Sequence, residues 1–318
     1  ECLPSKLNQS LGYPRLVTWL QAGALLVKIP LSVLLTFGLG DVPGLGVVGC
    51  AWATLAVNGL MMLTGLWLLR TQDIYTPYQL WCRPEKPQWS VLRHFLRLGV
   101  PAGLSIMVEV TSFAMMALFI ARLGSVASAS HQIAATLAAV LYMVPLALGI
   151  ASSARTGYWL GAGQAHRARR AAGLGIGLAI GAAVVCAAGL LLGRETIANA
   201  FTNDPVVAQT AMVWLAWVAV YHLADAVQAV CAFLLRCYRI TIAPLLIYTA
   251  FLWGFGLYGG YLWAYEASAL HGWLQWTGRP AVDTFWISSS LALATVSVLF
   301  AALVWRVTRP VSKPSAVA

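Results

Sequence analysis

The sequence predicts an all-α membrane protein of about eight transmembrane helices, two before a long basic linker and six after it. Three observations carry that prediction. Of 318 residues, 60% are hydrophobic and 9% are charged, where a soluble globular chain carries roughly 25% charged residues. The apolar residues fall in runs long enough to cross a ~30 Å hydrocarbon core, which takes about 20 helical residues. The basic residues crowd into alternate connections between those runs, as the positive-inside rule demands.

The runs follow in order. Leu16–Phe37 contains Lys28 and Pro30, and Val47–Leu69 follows it. The linker Arg70–Arg97 is polar, basic and holds three prolines. Such a segment between bundles reads as a domain boundary, dividing the chain into 1–69, 70–97 and 98–318. Its last stretch, WSVLRHFLR, is amphipathic and is expected at the membrane surface ahead of the next span. Leu98–Ala121 then carries Gly99, Pro101 and Gly103, and His131–Ala154 carries Pro145 and Gly149. Ala171–Leu192 is lined by Gly173, Gly175, Gly177 and Gly181. The glycines read as close helix packing; the two prolines read equally as packing or as bends. Val206–Leu235, Ala243–Trp263 and Thr284–Trp305 complete the set. The loop Tyr265–Asp283 brings Trp273 and Trp276 near Trp263 as interfacial anchors.

Charge fixes the expected orientation. With the N-terminus cytoplasmic, 16 of the 20 Lys and Arg residues fall on the inside. Arg122, Arg194 and Arg279 fall outside, and Lys28 lies within a span. Both termini are therefore expected in the cytoplasm, and the +10 net charge needs no nucleic acid to explain it. The turn GAGQAHRARR (Gly161–Arg170) reads as a cytoplasmic turn whose arginines meet lipid headgroups, not as a phosphate loop. The six cysteines form no CxxC motif, so neither a disulfide framework nor a metal site is expected. The chain opens at Glu1 with a short polar segment, as if cut from something longer. HExxH, DDxxD and GxSxG are absent, which argues against an enzyme.

Two acids stand out. Glu109 and Asp225 lie deep inside apolar runs, where each costs about 2.5–3.5 kcal/mol on insertion scales. Glu109 is 12 residues from Arg97 and Asp225 is 11 from Arg236, depths of about 18 and 16 Å at 1.5 Å per residue. Acids on different helices at one depth can share a cavity. Tyr221 and Gln228 stand four before and three after Asp225, on its face of the helix. A carboxylate, a phenol and an amide offer oxygen ligands to a hard cation, or a hydrogen-bonded proton site. His222 is a further proton candidate, with a core role as the plainer reading. Lys28 is either a counter-charge for an acid or a gate.

At these residues the chain resembles the multidrug and toxic compound extrusion (MATE) transporters, especially the NorM-like branch, from about Leu11 to Arg306. The stretches that carry the resemblance are VPAGLSIMVEVTSFAMMALFIARLG, ASHQIAAT, YHLADAVQAV leading into LLRCYR, and FGLGDVPGLGVVGCAWAT. The resemblance implies two six-helix lobes around a cavity that opens to alternate sides. Residues 98–318 match the complete C-terminal lobe, and 1–69 match the last two helices of an N-terminal lobe whose first four are missing. It also implies that Glu109, Asp225 and Tyr221 form the cation site of the C-terminal lobe; the residues themselves, not the resemblance, add Gln228, His222 and Lys28 as accessories. LRCYRI departs from the family's LRG-Y-K/R-D at Cys237 and Ile240.

The expected function is a monomeric antiporter of the inner membrane that needs no cofactor. It exports cationic or amphiphilic drugs in exchange for Na⁺ or H⁺. The alternatives are a flippase for a lipid-linked saccharide, which needs several basic residues in its cavity, a membrane-embedded enzyme, or an inactive fragment.

Overall fold

The computed structural model describes residues 14–39, 42–72, 75, 88–265 and 283–309. The chain forms two compact units, Glu1–Pro87 and Gln88–Ala318, and among the described residues eight helical segments are long and apolar enough to span a membrane.

The first unit is a helical hairpin of α1 (Pro14–Phe37) and α2 (Gly46–Thr71). Their connection holds a two-residue antiparallel ladder, with Gly38 opposite Pro43 and Leu39 opposite Val42. Two-residue strands have no periodicity to read, so this pairing is not legible in the sequence. Gly49 lets α2 approach the backbone of α1: a side chain there would run into the Leu35 carbonyl. Pro30 sits inside α1 without ending it.

The second unit contains α3 (Trp89–Ala121), α4 (Ser125–Gly161), α5 (Ala165–Phe201) and α6 (Pro205–Cys237). The next span starts as α7 (Ile242–Tyr248), widens to a π-helix over Thr249–Gly259 and ends as α8 (Gly260–Tyr265). The last span is α9 (Thr284–Thr308). These helices outrun the apolar segments that predict them. α4 and α5 have 37 residues each, about 55 Å at 1.5 Å per residue. Backbone hydrogen bonding continues past the charged residues at which an apolar count stops. For the same reason WSVLRHFLR is the first part of α3 and not a separate surface segment. Pro101 and Pro145 also lie inside continuous helices.

Local chemistry sets the helix ends. Asp204 caps α6, its carboxylate accepting from the Val206 N–H at 2.9 Å and the Val207 N–H at 3.4 Å, with Pro205 at the first helical position, an arrangement that satisfies orphan donors. α4 ends where Gly163 takes a positive φ of 71° and the Gln164 N–H reaches back to the Trp159 carbonyl at 2.9 Å. α6 ends on Arg239, whose φ of 60° makes it the only non-glycine residue in the left-handed region among those described.

The core is built around α6. Its central residues are buried on nearly every face, with α4, α5 and α9 packed against it. Trp214, Leu215, Val218, Phe285 and Trp286 form one apolar cluster. Leu234, Leu235, Leu293, Val296 and Phe300 form a second, further along α6 and α9. Tyr221 packs against both. The polar residues Asp225 and Gln228 follow it on α6, at the junction of the two clusters.

Candidate functional site: a buried acid pair bridged by an amide

Glu109 comes from the middle of α3, and Asp225 and Gln228 come from α6. Gln228 is fully buried and Asp225 is buried. The Gln228 side-chain nitrogen donates to Glu109 Oε1 at 3.1 Å and to Asp225 Oδ1 at 2.9 Å. Its amide oxygen accepts the Tyr248 hydroxyl. One side chain thus uses both N–H bonds and its carbonyl at once, leaving little freedom to turn.

This arrangement corrects the expected chemistry in one respect. Gln228 presents nitrogen, not oxygen, to the acids, because Tyr248 occupies its oxygen. Gln228 is therefore the connecting element of the site, not an accessory to it. A hard cation would be held by the carboxylate oxygens of Glu109 and Asp225, and amide nitrogen is no ligand for it.

Glu109 faces a cavity of about 430 Å³, whose wall also includes Phe113, Tyr142, Tyr221, Arg236 and Tyr248. Asp225 does not line the cavity and is joined to Glu109 through the Gln228 amide. Tyr221 shares the cavity wall, but no hydrogen bond joins it to Asp225 among the described residues. Its ring lies between Phe113, at 6.4 Å, and Trp286, at 6.0 Å. Two carboxylates served by one amide repel each other in this low-dielectric setting. A cation between them or a proton on either would relieve that repulsion.

The other candidates are not among the residues that line the cavity. His222 is buried on α6, with its Nε2 unpartnered, and does not line the cavity. Lys28 is an exposed residue of α1, in the other unit. Tyr142, Tyr248 and Arg236 line the cavity but were not foreseen in it. Tyr142 and Tyr248 look like ordinary span aromatics in the sequence. Arg236 looks like an interfacial marker, yet it is half-buried, with its guanidinium over the Phe233 ring at 5.0 Å. Only a three-dimensional neighbour list finds these three.

The π-helical stretch is tied to the Glu109 helix. Trp253 donates its indole N–H to the Val108 carbonyl at 3.1 Å, next to Glu109. Ser112 donates to the Leu252 carbonyl at 3.4 Å. Such widened turns recur at functional sites. Among the described residues no three His, Cys, Asp or Glu side chains converge on one point. Cys50, Cys186, Cys231 and Cys237 are free thiols. Cys2, Cys82, Trp273, Trp276, Arg279 and, within the 70–97 linker, residues 73–74 and 76–87 lie outside the described residues.

The fold and this site define a polytopic helical membrane protein with a carboxylate pair buried between helices. Residues 101–262 match the MatE family, and the chain belongs to it. It is 37% identical over 293 residues to the probable multidrug resistance protein NorM of Aromatoleum aromaticum, covering 92% of this chain and 62% of that protein. It is 36% identical over 254 residues to the multidrug resistance protein PmpM of Pseudomonas aeruginosa, covering 80% of this chain and 53% of that protein. The chain thus spans less than two thirds of the length of these relatives. Among solved structures, an outward-facing multidrug resistance MATE family transporter of the MOP superfamily superposes with a TM-score of 0.81 at 16% identity, covering 96% of this chain and 66% of that one.

Proposed function

We propose that this chain is the larger part of a secondary antiporter that exports cationic or amphiphilic compounds in exchange for Na⁺ or H⁺. Residues 98–318 act as the C-terminal lobe and residues 1–69 as the last two helices of the N-terminal lobe, joined by the 70–97 linker. The protein works as a monomer in the inner membrane with both termini cytoplasmic. The coupling ion enters at Glu109 and is shared with Asp225, while Tyr221 shapes the wall between ion and substrate.

The observation that carries the reading is the single amide donating to both buried acids. Acids in apolar spans are tolerated where they serve an ion or proton path. Here they also face a cavity of about 430 Å³, within the size range of small-molecule sites. One charge moving through 100 mV supplies about 2.3 kcal/mol, a concentration ratio of roughly fifty for a one-for-one exchange. A proton neutralises either acid without disturbing the amide. Na⁺ would be held by carboxylate oxygens, of which the Gln228 nitrogen engages one on each acid.

Arg236 in the cavity wall is the one observation that favours a flippase for a lipid-linked saccharide. A pyrophosphate needs several such bases, and Glu109 on the same wall repels it. The test is ethidium efflux from cells that lack other drug pumps and express this protein. Efflux driven by an ion gradient is expected, and Glu109→Gln and Asp225→Asn should each remove it. Undiminished gradient-driven efflux in both variants would overturn the site.

A further inference from the structure

Away from the acid pair, the α4–α5 hairpin carries two features that the transport reading leaves unused. The first is at its connected end. The Arg155 guanidinium lies over the Trp159 ring at 5.0 Å, and the Arg167 guanidinium lies over the same ring at 4.7 Å. Arg155 also lies over Tyr158, at 5.7 Å. Arg169 and Arg170 follow on α5, exposed. α4 contains no acidic residue, and the only one in α5, Glu195, lies 25 residues beyond Arg170, about 38 Å along the helix. Guanidiniums stacked on an indole keep their N–H edges free for an anion.

The second feature is an apolar groove of about 640 Å³ between the same two helices. Met143, Val144 and Leu148 form its α4 wall, and Gly177, Leu178 and Gly181 form its α5 wall. Gly177 and Gly181 have open space where a side chain would stand.

Helical spacing puts the two features in line. Val144 and Leu148 precede Arg155 by 11 and 7 residues, close to whole numbers of turns at 3.6 residues each. Gly177 and Gly181 follow Arg170 by the same 7 and 11, and Leu178 follows Arg167 by 11. The nearer positions lie about 10 Å, and the farther ones about 16 Å, from their arginines along the axis. That is the layout of a phospholipid, with an anionic phosphodiester at the interface and an acyl chain running inward from it.

We propose that this face of α4 and α5 binds one anionic glycerophospholipid, its phosphate held by Arg155 and Arg167 on the Trp159 platform and an acyl chain seated in the groove. Basic clusters at the ends of spans take acidic headgroups by this chemistry. The leaflet, though not the binding, rests on the orientation proposed above, which makes it the cytoplasmic one.

The test is native mass spectrometry of the purified chain in detergent, titrated with phosphatidylglycerol or phosphatidylcholine. One tightly retained phosphatidylglycerol is expected, with phosphatidylcholine about tenfold weaker, because its trimethylammonium sets a positive charge beside the two guanidiniums. The pair Arg155→Gln with Arg167→Gln should weaken phosphatidylglycerol about tenfold, and Arg194→Gln should leave it unchanged. Gly181→Leu, which fills the groove and keeps the arginines, should also weaken it. Equal retention of the two lipids, or undiminished phosphatidylglycerol binding in both the arginine and the groove variants, overturns the proposal. Full displacement by soluble glycerol 3-phosphate, with Gly181→Leu neutral, overturns it too, because that marks a free-anion site. Helix content and thermal unfolding show whether each variant is folded, and Arg167→Gln alone replaces the pair if the pair is not. A protein that binds phosphatidylglycerol in this pattern yet moves no ethidium fails the transport reading alone. Arg167→Cys labelled from outside the cell changes only the leaflet.

Discussion

A primary amide set between two carboxylates can give each of them one N–H, and Gln228 does so while its oxygen takes the Tyr248 hydroxyl. Removing such a hub leaves several buried groups without partners, at about 1–3 kcal/mol for each unsatisfied one. Gln228→Ala is therefore expected to lower the thermal unfolding midpoint and to reduce gradient-driven ethidium efflux at least tenfold. Tyr248→Phe removes only one donor, and should lower the midpoint by less while sparing part of the efflux. If Tyr248→Phe proves the more damaging of the two, Gln228 is not the hub. The acids themselves were legible in the sequence, since a charge inside an apolar run is conspicuous. Gln228 was legible only as a same-face neighbour. Tyr248, on a different span 20 residues on, was not legible at all, because nothing in its local sequence separates it from an aromatic facing lipid.

Helix contacts decide which small residues matter. A Cβ at Gly149 in α4 would come within 2.7 Å of the Phe233 ring on α6. Overpacking of this kind costs about 1–3 kcal/mol, so Gly149→Ala should lower the unfolding midpoint. Gly173 in α5 has open space at the same position. Gly173→Ala should raise the midpoint slightly, since about 0.8–1 kcal/mol separates the two residues in a helix interior. Opposite signs for two identical substitutions are the check. Arg239 gives a third case: a non-glycine residue at a φ of 60° carries a penalty of about 1–2 kcal/mol. Arg239→Gly should therefore stabilise the end of α6, provided unfolding is measured away from any membrane effect of the lost charge. From sequence all the glycines looked alike as packing residues. Which of them touch a neighbour depends on helix rotation, and apolar runs bordered by small residues on every side do not fix rotation.

On the scale of the whole chain, charge sets direction. The proposed orientation places the α4–α5 turn inside and the α5–α6 turn outside. With the native cysteines replaced, Arg194→Cys should react with a membrane-impermeant thiol reagent on intact cells, and Arg167→Cys should react only after the membrane is opened. The reverse pattern would invert the topology without touching the buried site.

What the sequence determined by itself is what one-dimensional physics can fix. Hydrocarbon thickness sets the length and number of the spans, the asymmetry of lysine and arginine sets their expected direction, and the cost of a buried charge marks Glu109 and Asp225. Only the tertiary structure decided that Gln228 turns its nitrogen to both acids, that Tyr142, Tyr248 and Arg236 join the cavity wall, and that Trp159 gathers two arginines above an apolar groove. Those relations depend on how far each helix is rotated and where it crosses its neighbours. Rotation and crossing follow from packing between distant segments, and no run of consecutive residues encodes them.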